Sequence, residues 1–410
     1  MNKLHTNWKK LKIEDCAEVI GGGTPSTKKK EYWDGDISWI TPKDLSNYNN
    51  RYISKGSRNI SEKGLKYSSA RLLPKNSVLL TTRAPIGYLA ISKKELATNQ
   101  GFKSLIMKNG NFPEFFYYLL KNNISKLLQY ASGTTFMELN ATNLKSIEFY
   151  IPEVKEQKRI ASILSALDDK IELNNKTNKI LEEMAQTIFK EWFINFNFPN
   201  EYGKPYKKSG GEMIDSELGK IPKGWKVITL KDIISIAKGK KPKATSDKIT
   251  EKFTMPYLTI NCYNNEATEY TEYNEKMHVK ELDIVMVMDG NAGKIFYGKE
   301  GILSSTMAKL IVEDSNLNEL VFYFLKSIEY DLMYHTVGSV IQHADKQYML
   351  NKKFCVSLDN LERLSDIFKC IRKEISLNKK ENKKLSNIRD SLLPKLMTPK
   401  GRRADGKIRV

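Results

Sequence analysis

The sequence predicts an α+β chain built as an internal repeat, with two similar globular domains of strands and short helices, each closed by a long coiled-coil helix. Three observations carry this expectation. The stretches IELNNKTNKILEEM (171–184) and ISLNKKENKKLSNI (375–388) share seven of fourteen residues at a constant offset of 204. Each lies inside an apolar seam longer than four heptads. Each is preceded by the same series of strand-like runs and glycine-containing turns.

The chain divides accordingly into a first domain (1–153), a first long helix (154–196), a linker (197–223), a second domain (224–358), a second long helix (359–397) and a tail (398–410). Both domains open on a strand-like run, with Trp8-Lys9-Lys10-Leu11 facing Trp225-Lys226-Val227-Ile228 at offset 217. A Gly/Lys loop follows, GGGTPSTKKK (21–30) in one and AKGKKPKAT (237–245) in the other, then a second strand, ISWIT (37–41) or MPYLTI (255–260). VLLTTRAPIGYLAI (78–91) and IVMVMDGNAGKIFY (284–297) each read as two strands around a turn. ATNQGF (97–102) and LSSTMA (303–308) lead to short helices over FFYYLL (115–120) and VFYFLK (321–326). The loops SGTTFMELN (132–140) and VGSVIQHAD (337–345) close the series. The offset drifts from 217 to about 205 because loop lengths differ while the framework stays.

The first seam runs Ile160, Leu164, Leu167, Ile171, Asn174, Asn178, Leu181, Ala185, Ile188, Trp192; the second runs Leu364, Phe368, Ile371, Ile375, Asn378, Asn382, Leu385, Arg389, Leu392, Leu396. Pro152 and Pro199 bracket the first helix, and Asp359 or Asn360 is placed to cap the second. A buried Asn costs stability unless it meets another polar group, so Asn174, Asn178, Asn378 and Asn382 read as register pins. Each pair sits at the midpoint of its seam, and an antiparallel arrangement sets Asn174 opposite Asn382 and Asn178 opposite Asn378. A parallel arrangement also aligns the pairs, so the asparagines specify register rather than direction. The competing reading leaves them facing solvent on unpaired helices. FPNEYGKPYKKSGGEMIDSELGKIPKGW (198–225), rich in Gly, Pro, Ser and charge, reads as the crossing linker.

The formal net charge is +19, and it is unevenly placed. Residues 1–153 carry 23 basic and 13 acidic side chains, net +10, whereas 224–358 are balanced at 17 each. Such an excess points to a polyanionic partner, most simply nucleic acid. No apolar run reaches membrane-spanning length and no signal-peptide core is visible, so a cytoplasmic location is expected. Cys16, Cys262, Cys355 and Cys370 are far apart, without zinc-ligand spacing, and read as reduced buried thiols.

GGTPSTKKKEYWDGDISWITPKDLS (22–46), TTRAPIGYLAISKKELATNQGF (81–102), GTTFMELNATNLKSIEFYIP (133–152), EQKRIASILSALDDKIELNNK (156–176), DSELGKIPKGWKV (215–227) and SLLPKLM (391–397) resemble the specificity (S) subunit of a type I restriction–modification system. The resemblance covers most of the chain. It implies two target-recognition domains separated by two long antiparallel coiled-coil helices, related by a pseudo-two-fold internal repeat, each domain reading half of a split double-stranded DNA site. It implies two methyltransferase subunits as partners, and in some systems two restriction–translocase subunits. S-adenosylmethionine, ATP and Mg²⁺ are then expected in those partners and no cofactor in this chain. Three departures stand out. LDNLERLSDIF (358–368) lacks the Pro-rich, Glu-Gln opening of the first helix, Arg389 replaces an apolar seam residue, and the tail TPKGRRADGKIRV (398–410) is long.

A base methyltransferase would need a glycine-rich cofactor loop and an Asn/Asp-Pro-Pro-aromatic clamp, and neither occurs. DGNAGKI (289–295) superficially resembles a phosphate loop, but two residues rather than four separate Gly290 from Gly293, and Ile295 stands where Ser or Thr must bind magnesium. It reads as a β-turn. His5, His278, His335 and His343 show no paired spacing for metal or nucleophilic chemistry. Candidate DNA readers are polar residues on loops where the halves diverge: Lys28, Lys29, Lys30, Lys43, Arg51, Arg83, Thr134 and Thr135, and Lys238, Lys240, Lys241, Lys243, Asn261, Lys294, Gln342 and His343. Lysines suit phosphates, whereas Arg, Asn and Gln can pair with base edges. For each, a solvated surface charge is the alternative. Tyr32, Trp33, Trp39 and Tyr48 read as core. Phe189, Trp192, Phe193 and Phe196 read as an exposed apolar flank for docking a partner.

The favoured reading is thus a non-catalytic recognition and scaffold subunit. The alternatives are a specificity subunit of a methylation-only complex, a standalone methyltransferase or nuclease, and a coiled-coil adaptor without DNA reading.

Overall fold

The computed structural model describes residues 8–133, 137–264, 267–338, 342–357 and 361–399. The chain forms two units, one from residues 1–176 with 378–410 and the other from 177–377, so the division falls inside both long helices. Each unit thereby contains one globular domain, the first part of its own long helix and the last part of the other.

In the first unit, strand Lys9–Lys12 pairs antiparallel with Glu148–Ile151. The central sheet is antiparallel across Ala17–Gly21, Lys103–Met107, Val78–Thr82 and Ile86–Ser92, with Tyr52–Ile53 added parallel to its edge. Trp33–Ile40 pairs antiparallel with Arg58–Ile60 and parallel with Ala97–Thr98. The second unit repeats this plan. Trp225–Thr229 pairs with Lys353–Ser357; Ile234–Lys238, Met307–Val312, Ile284–Val287 and Ile295–Tyr297 form the antiparallel sheet; and Met255–Leu258 runs parallel to Gly301–Leu303. Helices Pro113–Asn122 and Asn318–Ser327 occupy equivalent places and bury their aromatic runs.

The first long helix spans Val154–Phe189 and ends in a π-helical turn, Lys190–Ile194; the second spans Leu361–Leu396. The caps assigned to Asp359 and Asn360 lie outside the described residues. Within the first unit the helices are antiparallel. Asn174 is 3% exposed, and its Nδ2 donates to Asn382 Oδ1 at 2.9 Å and to Glu381 Oε2 at 2.7 Å. Asn382 returns a hydrogen bond to Asn175 Oδ1 at 2.8 Å. The asparagine therefore faces the partner helix, not solvent.

Arg389, the apolar position lost from the seam, is the second polar tie. Its Nη1 donates to Asp168 Oδ1 at 2.7 Å, while Tyr118 Oη donates to Asp168 Oδ2 at 2.7 Å. Arg51 completes the network, donating to Tyr118 Oη at 3.0 Å and pairing with Asp169, with Glu172 accepting from its backbone N–H at 2.7 Å. The first domain, its own helix and the far end of the second helix are thus joined through one buried charge group.

In the second unit the joint is aromatic. Phe368 packs at 6.4, 6.3 and 6.2 Å from Phe189, Trp192 and Phe193, and Phe193 and Phe196 lie 5.5 and 5.7 Å from Trp225. This corrects the docking surface expected at Phe189, Trp192, Phe193 and Phe196. Phe189 and Phe193 are buried, and Trp192 and Phe196 pack on the same core. The helix end is apolar because it inserts into the second domain. The thiols need a smaller correction: Cys16, Cys262 and Cys355 are buried, but Cys370 is exposed.

Removing Arg389 leaves the Asp168 carboxylate buried beside one neutral donor. Arg389→Ala should destabilise the fold by about 3–5 kcal/mol in urea unfolding. The double change Asp168→Asn, Arg389→Leu should recover most of that loss. Burial pushes the Cys16 and Cys355 thiols up to about 11. Maleimide should therefore label one thiol per native chain quickly, at Cys370, as peptide mass mapping would show.

Candidate nucleic-acid interface

Equivalent glycines start the basic loops of both domains. A Cβ on Gly22 would lie 2.0 Å from the Asn99 carbonyl oxygen, and one on Gly239 would lie 2.1 Å from that of Ser304. Only glycine lets the chain lie so close to the neighbouring strand before the loop turns outward. Lys28, Lys29, Lys30, Lys240, Lys241 and Lys243 follow and are exposed. Lys29 Nζ donates to Tyr32 Oη at 3.1 Å, which raises the lysine's pKa and keeps it cationic. Exposed ammonium groups on a protruding loop suit phosphate oxygens.

Beside each loop lies a carboxylate flanked by two basic side chains. In the first domain Arg83 bridges through its backbone to Glu138, with Leu139 N–H donating to Thr82 O at 2.9 Å. Arg83 Nη1 lies 3.8 Å from Glu138 Oε2, and Lys103 Nζ lies 3.7 Å from Oε1. In the second domain Asp289 bridges to His343, with Ala344 N–H donating to Met288 O at 2.8 Å. His343 Nδ1 is hydrogen-bonded to Asp289 Oδ1 at 2.7 Å, and Lys238 Nζ lies 3.8 Å from Oδ2. Gly290 N–H donates to Gln342 O at 3.1 Å. Two candidates from distant segments, Lys238 and His343, thus converge on Asp289, and the Gln342 backbone sits beside them on Gly290. Glu138 and Asp289 escape a sequence reading that looks to cations and amides for DNA contacts, and Lys103 escapes it because it opens the strand Lys103–Met107 and not a divergent loop. The visible signal was their position at the ends of the strands that carry the divergent loops.

The other candidates scatter. Lys43 is exposed on the short helix Pro42–Leu45. Lys294 is half-buried after the turn, 5.4 Å from the Phe296 ring. Asn261 opens a short helix beyond the strand Met255–Leu258. Thr134 and Thr135 lie outside the described residues. Arg51 is corrected: it is 4% exposed and spent on Tyr118 and Asp169, so it anchors a helix and does not face a ligand. Tyr32, Trp33 and Trp39 are buried, and Trp39 Nε1 donates to Gly23 O at 2.9 Å, supporting the loop from beneath. DGNAGKI is a turn between paired strands, and a Cβ on Gly293, at φ +90°, would meet the Leu332 backbone at 2.8 Å. Among the described residues no His/Cys/Asp/Glu group could hold a metal ion, and no helix is long and apolar enough to cross a membrane.

Residues 5–183 and 222–387 match the family described as the type I restriction modification DNA specificity domain. The chain is 35% identical to the type I restriction enzyme MjaIX specificity subunit of Methanocaldococcus jannaschii, over 97% of this chain and 94% of that protein. It is 29% identical to the EcoR124I/EcoR124II specificity subunit of Escherichia coli over 44% of each. The crystal structure of a type I restriction–modification S subunit from M. genitalium shares the fold, with a TM-score of 0.60, 19% identity, and 97% and 98% of the two chains covered.

If Lys240, Lys241 and Lys243 hold phosphates, replacing all three with alanine should weaken binding to every DNA sequence alike. The slope of log affinity against log salt should fall by about 3, at roughly 0.9 per lost phosphate contact. Fluorescence anisotropy at several salt concentrations measures both effects.

Proposed function

Because the chain belongs to the family of type I restriction–modification DNA specificity subunits, we propose that it reads an asymmetric, bipartite site in double-stranded DNA and recruits two methyltransferase subunits to it. The chain is itself non-catalytic. Adenine methylation is then the work of the recruited subunits, which bring S-adenosylmethionine. Where two restriction–translocase subunits join, they bring the ATP- and Mg²⁺-dependent chemistry.

The observation that supports the bipartite reading is one framework used twice with different reading groups. Both domains present a glycine-started basic loop beside a bridged carboxylate, yet the side chains at the bridge differ. A framework that is shared cannot encode two half-sites, so the difference must lie in those loops. The buried polar joint in one unit and the aromatic joint in the other hold each domain against parts of both long helices. That suits a scaffold which must keep two readers in place while partners assemble.

Replacing residues 224–358 with the corresponding domain of another member, in the complex with its methyltransferase subunits, should change one half-site and leave the other intact. Sequencing methylated adenines in host DNA reads both halves together. A change in both halves would end the modular reading.

A further inference from the structure

The two bridged carboxylate groups occupy the same place in the repeated framework but set their acidic and basic residues in reversed order. Thr82 accepts from Leu139 N–H in one domain, and Met288 accepts from Ala344 N–H in the other, at 2.9 and 2.8 Å. The following residue is Arg83 in the first and Asp289 in the second, and the residue across the bridge is Glu138 or His343. The carboxylate and its basic neighbour have thus changed sides. Resting on the bipartite reading above, we propose that Arg83 and Asp289 are equivalent base-reading residues, the first selecting guanine and the second cytosine within its half-site.

Arg83 stands 3.8 Å from Glu138, beyond hydrogen-bond reach, and its side chain is 40% exposed. Among the described residues none holds the guanidinium by a hydrogen bond, so its paired donors are available. Such an exposed, loose ion pair is weak and exchanges readily for another acceptor. Guanine offers two, O6 and N7, at the spacing of the guanidinium fork. Asp289 presents the complementary case. His343 holds Oδ1 at 2.7 Å, which fixes the carboxylate, while among the described residues Oδ2 has only Lys238, at 3.8 Å. A fixed carboxylate oxygen accepts from the N4 amino group of cytosine. Lys103 in one domain and Lys238 in the other lie beside the reading group, offsetting the repulsion between Glu138 or Asp289 and the phosphates.

The test uses the full chain in complex with its methyltransferase subunits and a duplex library randomised across both half-sites. Arg83→Gln replaces the guanidinium with an amide that pairs with adenine N6 and N7, and Asp289→Asn does the same in the other domain. Each variant should move the preferred base at one position of one half-site to adenine, by about tenfold or more. The other half-site should stay as in the unaltered complex. Uniform weakening with an unchanged base preference would overturn the proposal, because it would make these residues backbone or structural contacts. If the unaltered complex shows no bipartite preference, the underlying reading falls with it. If Arg83→Gln fails to assemble, Asp289→Asn, in the other domain, decides by itself.

Discussion

A carboxylate taken out of water must find a counter-charge and donors, or the fold that buries it is lost. Asp168 meets this constraint with one oxygen on Arg389 and the other on Tyr118. Asp168 lies on the first long helix, and its two partners come from elsewhere in the chain, the helix Pro113–Asn122 and the last turns of the second long helix. Packing alone would tolerate a slip of one helix along another, because leucine resembles leucine at every turn. A buried charge does not, and the Asn174–Asn382 hydrogen bond two turns away demands the same register. From Asp168 to Phe189 and from Phe368 to Arg389 are equal steps of 21 residues, three heptads, so the ion pair and the aromatic joint obey one antiparallel alignment.

The sequence made the periodic parts legible. Heptads, repeat offsets and the central asparagines are patterns that survive without coordinates. Both domains' paired strands and the short aromatic helices also stood where the apolar runs placed them. What it hid was the direction in which an exceptional residue points. Arg51 lay in a polar loop and looked like a reader, yet it turns inward to Tyr118. Phe189 and Phe193 looked exposed because a helix outrunning its own domain has no visible cover, and the cover is Trp225 and Phe368 from elsewhere in the chain. Arg389 was noticed as a break in the seam. Its partner, Asp168, falls one position after the seam residue Leu167, where the heptad pattern alone assigns no burial. The carboxylates Glu138 and Asp289 escaped because a net positive chain draws attention to its cations.

The second unit solves the same problem with other chemistry. Arg372 stands at the place equivalent to Asp168, 204 residues on, and is 6% exposed. Its guanidinium lies 3.6 Å over the Tyr297 ring and donates to Glu281 O at 3.0 Å. Tyr323, equivalent to Tyr118, has its hydroxyl pushed above the usual phenol range by burial and then by the charge of Glu182 on the first long helix. Tyr297 in turn donates to Glu319, whose own carboxyl is raised by burial. A base has thus taken the place of the acid, while the place equivalent to Arg389 is held by Ala185.

That replacement bears on ancestry. Two halves drawn to one plan look like interchangeable parts, and a symmetrical precursor made of two identical halves would be the simplest origin. The buried charges no longer permit it. Two first halves set against each other would place Asp168 opposite Ala185, one turn from Glu182, with no arginine to receive it. Two second halves would bring Arg372 toward Ser386 and Arg389, cation against cation. Each half has become the obligatory complement of the other, so the tandem chain cannot return to its symmetrical beginning.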